Sequence, residues 1–183
     1  MEYNAIGLLE YSSIAKGIGS ADAMVKAADV ELVISRTICS GKFMNLIAGD
    51  VDAVRNAVEA GEDYGVETVI DSFIIPNVHP DVFPDMSGST QVEKLDALGV
   101  LESFSVASLI EGADHAAKSA DVKLIEIRLA MALGGKAFVT LTGPVGAVES
   151  AIAAGREVIS RNGMLVHTVV IPSPRPELLR DIL

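Results

Sequence analysis

The sequence predicts an α+β protein built from two tandem copies of a β-α-β-β-α-β unit. Three observations carry this. Residues 5–30 and 97–122 align without a gap at an offset of 92, and 13 of the 26 pairs are identical. Within each copy, short apolar or β-branched runs alternate with stretches whose apolar residues recur at helical spacing. Each copy also closes on Ile-Pro, at Ile75-Pro76 and Ile171-Pro172, where proline stops a strand.

The elements of the first copy follow in order. Ala5 to Glu10 is a short apolar run and reads as a buried strand. Ser13 offers a helix cap, and Ile14 to Ala28 is rich in Ala, Met and Lys. Val30 to Ile38 is β-branched and reads as a strand. Gly41 breaks it, and Phe43 to Ala48 returns as the second arm of a hairpin. Gly49-Asp50 opens a helix with Val51, Val54 and Val58 along one stripe; Gly61 either ends or interrupts it. Val66 to Ile75 is the closing strand.

The second copy repeats this order. Gly143-Pro144 places proline at a helix start, where its missing N–H costs least. Val145, Val148 and Ile152 repeat the stripe, and Val166 to Ile171 is the last strand. Pro76 to Lys94, with Pro80, Pro84 and Gly88, connects the copies. Pro172-Ser173-Pro174-Arg175-Pro176 leads into a short amphipathic tail. The order βαββαβ, twice, is the ferredoxin-like arrangement: an antiparallel sheet with helices on one face.

Composition narrows the function. A formal net charge of −11 and a pI near 4.6 repel phosphate backbones, so nucleic acid is not an expected partner. Half the residues are apolar and mean hydropathy is +0.41, yet no run approaches the ~18 apolar residues of a membrane span. Units of about 85 to 90 residues bury modest cores, so the surplus apolar surface points to contacts between units and between subunits. Met1-Glu2-Tyr3-Asn4 has no basic or long apolar stretch, so no secretory signal is expected. A single cysteine makes no intrachain disulfide, and a cytoplasmic protein is expected.

Most familiar chemistry is missing from the pattern. His79, His115 and His167 stand at no metal-ligand spacing. Gly17-Ile18-Gly19-Ser20-Ala21-Asp22 half-matches a dinucleotide loop, but the third glycine is absent and the second copy keeps neither of the other two. Gly135-Lys136 lacks the rest of a phosphate loop. The two copies differ most at one loop. The first reads Thr37-Ile38-Cys39-Ser40-Gly41 and the second Ala130-Met131-Ala132-Leu133-Gly134-Gly135, after which the offset rises to 94. A lone cysteine is usually a small buried apolar residue, but a hairpin tip is a poor place for core. A threefold axis beside that tip would bring three thiolates together, enough for a soft metal or an iron–sulfur cluster.

The chain resembles the bacterial microcompartment (BMC) shell proteins, in the tandem-domain trimeric group. The resemblance rests on Ala5-Ile6-Gly7-Leu8-Leu9-Glu10, Asp22-Ala23-Met24-Val25-Lys26-Ala27-Ala28-Asp29-Val30, Gly49-Asp50-Val51-Asp52-Ala53-Val54 and the two Ile-Pro endings. It implies BMC-type domains at 1–80 and 95–183 with a linker at 81–94, and a pseudo-hexameric homotrimer that tiles the shell with other shell proteins. Single-domain members read Lys-Ile-Gly-Ser-Gly at the pore; here Cys39 replaces the glycine. In one subgroup such a cysteine binds a [4Fe–4S] cluster on the threefold axis. Carried over, Cys39 is the metal ligand, and Ser40 and Gly41 shape the pore rim with Thr37 and Ile38. Neighbouring amides and the Ser40 hydroxyl would tune the cluster. Met131, Ala132, Leu133 and Gly134 are expected to restrict the pore. Lys26 and Lys118 match the lysine that tiles use at their edges. Where the family often has arginine after the Ile-Pro, this chain has Asn77 and Ser173.

The expected role is therefore a non-enzymatic shell tile with a cluster for electron transfer across the shell, serving encapsulated redox enzymes. A cluster-free tile is the alternative, and a small-ligand regulatory module is a third reading from another class.

Overall fold

The computed structural model describes residues 4–82, 95–130, 133–161, 163–175 and 178. Each repeat forms the expected four-stranded sheet and two helices. The first contains β1 (Ala5–Tyr11), α1 (Ile14–Ala27), β2 (Glu31–Ile38), β3 (Lys42–Gly49), α2 (Val51–Gly65) and β4 (Val69–Pro76). The second contains β5 (Ala97–Ser103), α3 (Val106–Ser119), β6 (Lys123–Leu129), β7 (Ala137–Gly143), α4 (Val145–Arg161) and β8 (Leu165–Pro172). Strand order is β2-β3-β1-β4 and β6-β7-β5-β8, all neighbours antiparallel.

Local chemistry sets the element ends. Ser13 accepts a hydrogen bond from Lys16 N–H at 3.3 Å, and Ser105 does the same for Ser108 at 3.1 Å. Pro144 sits one place before its helix, where a backbone N–H would have no intrahelical acceptor, and its carbonyl accepts from Val148 N–H at 2.9 Å. Two expectations need correction. Val66–Thr68 is a 3-10 turn, and β4 begins only at Val69. Gly61 neither ends nor breaks α2; it lies buried within it.

Gly61 is there for clearance. A Cβ at Gly61 would lie 2.4 Å from Leu9 Cδ1 on β1 and 2.9 Å from Met24 Cγ on α1. Its counterpart Gly155 would put a Cβ 2.6 Å from Leu101 Cδ1 and 2.7 Å from the Gly112 carbonyl. In both repeats a helix glycine lets two helices close over the central strand. The first core gathers Leu9, Tyr11, Met24, Phe43, Ile47, Val54 and Val58 between that sheet face and the helices. Tyr11 is fully buried, shares a hydrogen bond with Ser20 and reaches the Gly61 carbonyl at 3.2 Å. Burial above all pushes its phenol up to about 12, with Glu62 adding to the rise.

Packing divides the chain into two units. One is Met1–Val78 with Ala130–Gly135; the other is His79–Leu129 with Lys136–Leu183. The β6–β7 tip of the second repeat thus belongs to the unit formed by the first.

Candidate functional site: two hairpin tips

Cys39, Ser40 and Gly41 join β2 to β3, with Ile38 paired to Lys42 across the tip. A loop this short needs left-handed backbone, and Ser40 (φ 70) and Gly41 (φ 72) supply it. Thr37, Ser40 and Gly41 are exposed, Ile38 is buried and Cys39 is half-buried. The second tip is longer. Ala130 (φ 45) and Gly135 (φ 87) are buried, Gly134 (φ 63) is exposed and Leu133 is half-buried. Met131 and Ala132 lie outside the described residues.

The tips meet. Cys39 N–H donates to the Ala130 carbonyl at 2.8 Å. Gly135 (φ 87) has the left-handed backbone that favours glycine, and a Cβ there would stand 3.0 Å from Ser40 Oγ, so the two tips lie in close contact. Among the described residues eight have positive φ, and five of them are in these two tips. Two of the five, Ser40 and Ala130, are not glycine, and left-handed backbone at such residues persists only where the surrounding structure holds it. The Cys39 amide is committed to Ala130, so it is not a donor to anything the thiol might bind.

A lysine follows each tip glycine and anchors the hairpin base. Lys42 Nζ pairs with the buried Glu10 at 2.7 Å, and Lys136 pairs with Glu102. This occupies the Gly135-Lys136 motif structurally. Among the described residues no group of three or more His, Cys, Asp or Glu comes together within one chain. One chain therefore offers a single thiol. It fits a cluster only as one of several symmetry-related ligands.

The three histidines are dispersed: His115 and His167 are exposed, and the backbone N–H of His79 donates to Asp114. The edge lysines differ. Lys26 is 72 % exposed and pairs with an exposed Asp22, whereas Lys118 is 38 % exposed and pairs with an Asp114 that is 2 % exposed.

That contrast is general. Ile14, Ile18, Val25, Leu32 and Val33 on α1 and β2 are 37–57 % exposed, while their repeat counterparts Val106, Ile110, Ala117, Leu124 and Ile125 are 0–6 % exposed. The reverse holds on the last strands: Phe73 is 8 % exposed and its counterpart Val169 is 41 % exposed. Each repeat leaves open the face that the other has buried. The pairing of the tips and this asymmetry had no signal in the sequence beyond the two extra loop residues.

A chain with this duplicated unit is a tandem member of a known class. The BMC domain family matches residues 5–78 and 97–174. The chain belongs to this family of bacterial microcompartment shell proteins. It is 40 % identical over 178 residues to the bacterial microcompartment shell protein PduT of Citrobacter freundii, covering 97 % of each chain. It is 39 % identical over 84 residues to the shell protein PduA of the same organism, covering 45 % of this chain and 90 % of that one, so one PduA chain corresponds to about one repeat. A solved microcompartment protein from Desulfitobacterium hafniense DCB is 53 % identical, with a TM-score of 0.87 over 96 % of this chain and 98 % of that one.

Proposed function

We propose that the chain is a structural tile of a bacterial microcompartment wall, closed as a ring of three copies, with the three Cys39 thiolates holding a [4Fe–4S] cluster on the ring axis. The observation that carries the ring is the complementary exposure of the repeats. The open α1–β2 face of the first repeat and the open β8 face of the second are different surfaces, so copies join head to tail. Such a contact gives either a closed ring or an open filament. Six near-equivalent repeats in three chains make the closed form a pseudo-hexamer. The edges of this tile would meet other shell proteins.

The cluster reading is supported by the place of the only cysteine. It stands at a strained tip, held by a backbone hydrogen bond to Ala130, where the second repeat has no thiol. The cluster would supply one-electron transfer across the wall to enclosed redox enzymes. Its fourth iron would lack a protein ligand. The chain's own part is to hold Cys39 at fixed depth and to fill the surroundings with the second tip. The tile carries out no bond-making chemistry of its own.

Iron and acid-labile sulfide are to be measured per trimer in protein purified without oxygen, beside Cys39→Ser. About four of each in the parent and none in the variant is the expected result. Neither iron nor sulfide in the parent after reconstitution would leave a cluster-free tile.

A further inference from the structure

The same eight-position phrase ends both repeats. Ile75-Pro76-Asn77-Val78-His79-Pro80-Asp81-Val82 returns, 96 residues later, as Ile171-Pro172-Ser173-Pro174-Arg175-Pro176-Glu177-Leu178. Where both are described, the backbones agree. Asn77 (φ 55) and Ser173 (φ 49) are both left-handed. Val82 N–H donates to the His79 carbonyl at 3.0 Å, and Leu178 N–H donates to the Arg175 carbonyl at 3.0 Å.

The first phrase has a visible use. His79 and Val82 belong to the unit formed by the second repeat. His79 N–H donates to Asp114 Oδ1 at 2.7 Å, and Asp114 Oδ2 takes Lys118 Nζ at 2.5 Å. Val82 is fully buried. Asp114 lies on the α3 stripe of Val106, Ile110 and Ala117, all within one helical face. The phrase thus fastens to the side of the first helix of the repeat that follows it, at Asp114.

Helix α1 carries the same stripe, Ile14, Ile18, Asp22 and Val25, with Lys26 standing to Asp22 as Lys118 stands to Asp114. Here the stripe is open and the Asp22 side chain is 63 % exposed. The second phrase, meanwhile, has an exposed Arg175 and a half-buried Leu178. The second repeat thus carries the phrase, and the first repeat carries an open copy of the helix stripe it fits.

We propose that the segment carrying Arg175 and Leu178 docks on α1 of a second copy of this chain. Arg175 N–H would bind the Asp22 carboxylate as His79 N–H binds Asp114, and Leu178 would take the place that Val82 takes. The occupant is a second copy because the first phrase serves the next repeat, and around the ring proposed above the repeat that follows the second is the first repeat of a neighbouring copy. The proposal rests on the ring reading above and adds a strap that ties each chain to its neighbour.

Paired cysteines test it. In a Cys39→Ser chain, Asp22→Cys with Arg175→Cys places two thiols where the proposed hydrogen bond would bring them within disulfide reach. His79→Cys with Asp114→Cys is the control. It should close within one chain, with loss of both thiols and no change in chain mass. Under mild oxidation the test pair should give covalent dimers and trimers on a non-reducing denaturing gel. A trimer by native mass that keeps both thiols reduced would overturn the strap and leave the ring standing. Thiols lost at single-chain mass would place the tail on its own chain and also overturn the proposal. A parent chain that is not trimeric would instead remove the ring reading on which this rests.

Discussion

Replacing Ile18 tests the open face of the first repeat directly. Ile18 is 57 % exposed, and its counterpart Ile110, the same residue at the same helical position, is fully buried. Complete burial of an isoleucine contributes about 1.5–3 kcal/mol. Closing the ring would therefore gain about 0.9–1.7 kcal/mol at each Ile18, or about 3–5 kcal/mol over three interfaces. Truncation by Ile18→Ala should weaken trimerisation by about two to three orders of magnitude, since about 1.4 kcal/mol is tenfold. Ile18→Asp should go further, because each interface would then have to bury an unpaired carboxylate. Sedimentation velocity across a concentration series reads the shift, and circular dichroism checks that the chain stays folded. Val145→Asp is the matched control: Val145 is 36 % exposed, and its counterpart Val51 is likewise only half-buried. If Ile18→Asp stays trimeric at every concentration, the α1 face is not the interface, and its exposed apolar residues do not mark one.

Other outcomes follow from the same structure. Gly155→Ala should cost about 1–3 kcal/mol in urea unfolding, because the new methyl meets the Gly112 backbone carbonyl, which cannot rotate away. Asp114→Ala should cost a similar ~1–3 kcal/mol by stranding the His79 N–H, with Asp114→Asn recovering part of it because the amide oxygen still accepts. Tyr11 contributes a pH dependence whose sign is fixed. Its folded pKa is raised to about 12 while an unfolded tyrosine ionises near 10, so its contribution is complete below pH 10 and is lost as pH rises through about 12. Urea midpoints at several alkaline pH values should fall less steeply in Tyr11→Phe than in the parent.

The β-α-β-β-α-β order was legible because each strand and helix carries its own period, and the repeat let weak signals in one copy support those in the other. The errors were local. Val66 is β-branched, yet it begins a 3-10 turn, since α2 runs on through Gly61 and leaves no room for an earlier strand. Gly61 looked like a breaker because its value lies in what a side chain there would strike, which is a tertiary fact. Burial asymmetry was invisible in principle: Ile18 and Ile110 are identical in identity and position, and only their neighbours differ. The repeated end phrase was readable, but α4 has 17 residues where α2 has 15, and the two-residue slip hid the match. Cys39 was conspicuous as the only cysteine, whereas its partner Ala130 carried no chemical signal at all.

Native mass spectrometry of the protein separates a closed head-to-tail ring of three chains from every other assembly. A closed ring gives one dominant species of three chains that persists on dilution. A monomer, a dimer, or an open-ended ladder of masses would contradict it.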